Sequence, residues 1–279
     1  MTVTTSSHHR TSPVQAARSS TRQGPPGGRL TLGGVVDSEW LKARSLRSTW
    51  YIAAGLVGAV VGIGTINAVG AVLGQANPQA PADPLAGALT GIGLAQLLAA
   101  ALGILAVTGE YATGTIRPSL SAVPRRPALV VAKALVAGAL TLGAAVAAVA
   151  ASFTLAHMIA DRDALAANAT EPTVLRALAG AAVYLCLTAV VGAACGWLLR
   201  STMGATALVV AILYVPGLLA LVVPGGDAAA PYLPANAGSA LLQLGPTTLL
   251  SPLAGLAVLS GYSAGISALA AVRLNRSDV

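Results

Sequence analysis

The sequence predicts an all-α membrane protein of six transmembrane helices preceded by an amphipathic surface helix, and three observations carry that prediction. The first is composition: only 9% of the 279 residues are charged, 55% are hydrophobic, and the mean hydropathy is +0.76. A soluble domain carries roughly 25% charged residues, because its surface must be solvated by water. Charges this sparse leave most of the surface to lipid. The second is a set of six apolar segments, near 51–73, 85–107, 130–156, 175–199, 205–223 and 248–272. Each supplies the ~20 residues that cross a ~30 Å hydrocarbon core. None has a charge at its centre, where Arg or Asp would cost ~2.5–3.5 kcal/mol.

The third is where the positive charges fall. The chain has 16 Lys and Arg against 9 Asp and Glu, a net +7. They crowd the ends of apolar runs rather than tiling one face, and aromatic residues are only 4%, so no nucleic-acid surface is expected. Seven precede residue 51, and Arg117, Arg125, Arg126 and Lys133 lie where the second segment passes to the third. Arg200 follows the fourth segment, and Arg273 and Arg276 close the sixth. A six-span chain puts all of these on one side and leaves Arg162 and Arg176 on the other. The positive-inside rule then places both termini in the cytoplasm, with the plasma (inner) membrane as the location and a 157–172 loop outside. Trp50, Tyr51, Tyr111 and Trp197 stand at the same span ends, as an aromatic belt would.

Residues 1–30, rich in Ser, Thr, Arg, Gly and Pro, cannot build a core and are expected to be a disordered cytoplasmic tail. No apolar run follows its arginines before residue 51, so it does not read as a signal peptide. Residues 31–279 form the membrane domain. Over 31–50, Val36, Trp40, Ala43, Leu46 and Trp50 recur every three or four positions, with Asp37, Glu39, Lys42, Arg44 and Arg47 between them. That pattern predicts an amphipathic helix lying on the membrane surface. In the fifth segment, Pro216-Gly217 is expected to kink or break the helix. Glycines four apart, such as Gly58/Gly62, Gly192/Gly196 and Gly261/Gly265, allow close helix packing or a dimer seam. Cys186 and Cys195 share one apolar run and read as small packed hydrophobes.

Catalytic patterns fail on context. Gly261-Tyr262-Ser263-Ala264-Gly265 matches a serine nucleophile elbow, but it lies in the last span with no histidine after it. His157 has no partner carboxylate in its span and reads as packed or interfacial. Asp161, Asp163 and Glu171 share a loop with Arg162 and lack the spacing of a metal site. Neither lysine follows a glycine, so no phosphate-binding loop exists and the chain is expected not to be an ATPase. No ionisable residue marks a relay inside the spans. The mid-span polar residues are Asn67, Thr90 and Gln96, which are candidates to line a pathway.

The most informative stretch runs from Thr108 through Gly109-Glu110-Tyr111 and Thr113-Gly114-Thr115-Ile116-Arg117 to Pro124-Arg125-Arg126 and Lys133. An acid at a span exit, a Thr-Gly-Thr turn and two prolines bracketing a short apolar helix describe a structured loop. Glu110 is expected to cap that helix or to pair with Arg117.

These residues resemble the loop between the second and third spans of ABC-2 type permeases, the membrane subunits of ATP-binding cassette transporters. Glu39, Trp40, Lys42 and Arg47, with Ser48 and Trp50, resemble the surface helix before that family's first span. Leu233-Pro234-Ala235-Asn236-Ala237-Gly238 resembles the external stretch before its last. The likeness covers about 31–275; the amino-terminal tail has no counterpart. It implies a dimer with a second permease copy or paralogue and docking of a cytoplasmic ATPase on Glu110, Thr113, Gly114, Thr115, Arg117, Pro124, Arg125 and Arg126. It also implies no cofactor in this chain, since ATP and Mg are held by the partner ATPase, and export of a hydrophobic or amphiphilic substrate. A secondary carrier, a non-transporting membrane scaffold and, more remotely, an intramembrane hydrolase are the alternatives.

Overall fold

The first helix, α1 (Leu32–Ser45), stops one residue short of the first span, and Leu46 in extended conformation separates it from α2 (Arg47–Val72). The computed structural model describes residues 31–74, 84–122, 126–160, 170–242 and 250–276. The tail, Pro124, Arg125 and the Asp161–Asp163 stretch named above lie outside the described residues. After α2 come α3 (Pro84–Leu89), α4 (Ile92–Thr113), α5 (Ile116–Ala122) and α6 (Arg126–Ala160). Then follow α7 (Pro172–Leu199), α8 (Thr202–Val222), two single 3-10 turns, α9 (Pro234–Leu242) and α10 (Pro252–Arg276). Among the described residues, six helical stretches are long and apolar enough to cross a membrane: Arg47–Val72, Leu85–Thr113, Arg126–Ala160, Pro172–Leu199, Thr202–Val222 and Pro252–Arg276. The protein is a multi-pass helical membrane protein, and each predicted span has its helix.

Two local features differ from expectation. The helix α8 does not break at Pro216 but continues through it, as apolar spans allow when neighbouring groups take up the freed carbonyl. The helix α1 buries Val35 and Glu39, with Val36 and Trp40 only half-buried, and Leu46 beyond its end is 51% exposed. The buried face is therefore turned by one residue from the face its apolar spacing predicts.

Segment α7 is the centre of the bundle: 67% of its apolar stretch is buried, against 17% for α8 and 22% for α2 and α10. Its small residues make that possible. A Cβ on Gly103 of α4 would run into the Ala189 carbonyl of α7, and one on Gly192 of α7 would run into the Ala100 carbonyl of α4. Backbones this close leave room only for hydrogen, which is how helices gain dispersion contacts where lipid offers no hydrophobic drive. Of the glycine pairs, Gly192/Gly196 packs within the bundle, whereas Gly58, Gly62, Gly261 and Gly265 face open space.

The α7–α8 corner takes two residues. Arg200 caps α7 in the left-handed region at φ 53°, its N–H donating to the Gly196 carbonyl, and the Ser201 hydroxyl accepts from Gly204 N–H to start α8. A non-glycine residue there costs of order 1–3 kcal/mol. The Arg200 guanidinium lies 5.8 Å from the centre of the Tyr111 ring, a cation–π contact that offsets part of that cost.

Candidate functional site

At the end of the bundle that carries α1 and α5, a local apolar cluster gathers Val35, Val107, Ile116, Leu129, Trp197 and Leu274 from six helices. Four charges are set into it. Lys133 enters from α6, two turns inside an apolar helix, and is 3% exposed. Its ammonium lies 2.6 Å from Glu39 Oε2 and 2.9 Å from Glu110 Oε1, and donates a hydrogen bond to the Ala106 carbonyl at 3.0 Å. Lys42, on the open side, lies 2.6 Å from Glu39 Oε1 and 3.1 Å from Glu110 Oε1, and donates to the Ser119 hydroxyl of α5 at 3.2 Å.

Glu39, Lys133, Glu110 and Lys42 thus alternate in sign around a closed, net-neutral ring. An isolated ion moved out of water costs several kcal/mol, and only opposite charges with filled hydrogen-bond positions repay that. Lys133 donates hydrogen bonds to Glu39 and the Ala106 carbonyl and has the Glu110 carboxylate as a second ion-pair partner. Burial would raise the Glu39 carboxyl, but Lys133 and then Lys42 outweigh it and hold the group below its ordinary range. Burial would lower the Lys42 ammonium, and Glu39 with Glu110 instead raises it. Both therefore favour the charged ring. The second oxygen of Glu110, Oε2, is buried without a hydrogen-bond partner among the described residues.

The loop beside the ring is built as its residues demand. Gly114 ends α4 in the left-handed region at φ 72°, which glycine enters without penalty. Thr113 donates to the Gly109 carbonyl, and its hydroxyl is 2.9 Å from that of Thr115. Ile116 anchors α5 in the apolar cluster. Arg117 is exposed and makes no ion pair with any described residue, so Glu110 pairs with the two lysines instead. Arg126 donates to the Leu274 carbonyl at 3.0 Å, tying the start of α6 to the end of α10. Arg47 is exposed on α2.

The three mid-span residues have separate partners. Asn67 donates to the Gly87 carbonyl, joining α2 to α3, and Thr90 donates to the Ala86 carbonyl of its own turn. Gln96 is buried between α4, α7 and α8, where Tyr184 donates to its carbonyl oxygen and its amide reaches the Tyr214 hydroxyl at 2.7 Å. His157 is buried against Phe153. Ser263 is buried inside the continuous helix α10, which offers no strand-to-helix turn for a nucleophile elbow.

From sequence, Glu39, Lys42 and Glu110 belong to two separate elements, and Lys133 is only one more positive charge where the loop meets the start of the third span. A signal for Lys133 was present: one of only two lysines stands inside an apolar helix, where an ionisable residue needs a partner. Tyr184 and Tyr214 carried no such signal. Comparison of the chain with protein-family models, curated proteins and solved structures finds no match.

Proposed function

We propose that this chain is the membrane subunit of an ABC-2 type ATP-binding cassette exporter in the plasma membrane, with both termini cytoplasmic. It works with a separate cytoplasmic ATPase and with a second permease copy or paralogue. The observation that carries this reading is the charge ring, which locks α1, α4 and α6 together and reaches α5 through Ser119. A partner pressing on the short helix α5 meets a joint rather than a slack loop. Displacement of α5 is passed through Lys42 and Glu110 to two spans at once, which shifts the bundle between inward- and outward-facing arrangements by differential contact energy. The apolar interior suits a hydrophobic or amphiphilic cargo.

The test is to look for an ATP-binding cassette ATPase encoded beside this chain and to co-express the two, followed by purification and reconstitution. The pair should co-elute, and ATP hydrolysis should come from the complex alone. Hydrolysis by this chain in isolation, or uptake driven by an ion gradient without ATP, would overturn the reading.

A further inference from the structure

Inside the elbow between α1 and α2, against the middle of α6, lies an open cavity of about 550 Å³. That volume falls within the roughly 300–1,000 Å³ of sites that hold small ligands. Its floor is apolar and shallow-sided: Ala53 and Val57 of α2 face Ala139, Gly143 and Ala144 of α6. From Trp50 to Val57 it follows α2 for about 10 Å, at 1.5 Å per residue. Beyond Val57 the two helices are pinned shut, where Ser152 of α6 donates to the Val60 carbonyl and to Ala88 of α3. The other end is the only polar part, with Arg44 and Thr49 set between Trp40 and Trp50.

We propose that this groove holds one anionic phospholipid of the surrounding bilayer, its phosphate at Arg44 and one acyl chain along Val57 and Gly143. Two observations select that occupant. Arg44 makes no ion pair with any described residue; its backbone carbonyl accepts from the Trp50 indole at 3.0 Å, which fixes the rim and leaves the guanidinium open. A guanidinium offers a planar fork that fits phosphate oxygens two at a time. The floor, in turn, is continuous with the exposed apolar face of α2, so a chain enters sideways from lipid. A second copy of this chain would have to bring a carboxylate to Arg44. Of the described acids at this end, Glu39 and Glu110 are already committed to the ring and exposed Asp37 of α1 is open, so the cross-linking arm below tests a second copy directly. The assignment does not depend on the transport reading.

The experiment places the full chain in phosphatidylcholine vesicles containing a minor fraction of bromine-labelled phosphatidylglycerol or, in parallel, bromine-labelled phosphatidylcholine. Quenching of Trp40 and Trp50 fluorescence reads occupancy, with buried Trp197 as a constant background. The anionic lipid should be preferred by about fivefold, equivalent to the ~1 kcal/mol that one cationic side chain contributes at an anionic surface. Arg44→Gln should bring the preference close to one, while Arg47→Gln leaves it in place. Gly143→Leu, whose Cβ meets nothing within 4 Å, fills the floor and should lower quenching by both lipids. Equal quenching by the two lipids in the unaltered chain overturns the proposal. So does an equal loss in Arg47→Gln, which would mean general surface charge. Cross-linking between copies through a cysteine at position 143, with no lipid quenching, would overturn it in favour of a protein interface.

Discussion

Lys133 Nζ lies 2.6 Å from Glu39 Oε2, with both side chains buried and the two residues 94 positions apart in sequence. This pair fastens the first helix of the chain to the third long apolar helix. Removing one member strands the other charge in an apolar cluster, which costs about 3–5 kcal/mol for a buried pair. Lys133→Met should therefore lower the melting temperature in detergent sharply, and Lys133→Met with Glu39→Leu should recover much of it. Strictly additive losses in the double variant would mean that the two residues do not interact.

The ring also sets a pH response. Glu39 has its pKa lowered in the fold, so its contribution is present above the ordinary carboxylate value of about 4.3 and is lost as pH falls through the lower folded value. Lys42 is raised, so its contribution is present below about 10.4 and is lost only as pH rises through the higher folded value. The stability gap between the unaltered chain and Glu39→Gln should stay flat from about pH 6 to pH 9 and close in acid. A gap that opens or closes near neutrality would show that another group controls the joint.

Helix packing gives a third expectation. Gly103→Leu or Gly192→Leu drives a side chain into the facing backbone of the α4–α7 crossing and should abolish the monodisperse peak in size-exclusion chromatography. Gly58→Ala and Gly261→Ala meet nothing within 4 Å and should preserve it.

The proposed orientation is checked by labelling. With Cys186 and Cys195 replaced by Ala, a cysteine at exposed Ser121 should react with an impermeant maleimide only in opened cells. A cysteine at Asn236 should react in intact cells. The reverse pattern would invert the topology.

If the proposed transport function holds, Glu110→Ala should uncouple cargo export from ATP hydrolysis while leaving insertion intact. Gly114→Val, which forces a β-branched residue into φ 72°, should do the same. Ser263→Ala removes a buried hydroxyl that has no partner among the described residues and should leave export unchanged. A dead Ser263→Ala with a fully active Glu110→Ala would move the working site to α10.

The sequence by itself determined the six spans, because a run of about 20 apolar residues needs no distant partner to prefer lipid. It also determined the turn after α4, since Gly114 meets a local backbone requirement. What it left open was every relation set by residues far apart in the chain. The spacing over 31–50 put Val36 and Trp40 on the apolar face of the first helix, yet the helix turns Glu39 inward because Lys133 waits there. Glu110 had Arg117 seven residues away as its nearest cation, and the fold gave it Lys42 and Lys133 instead. Gln96 found Tyr184 and Tyr214 at sequence separations of 88 and 118. A buried charge or amide takes whichever partner the packed helices bring within hydrogen-bond reach, and only the tertiary structure decides which that is.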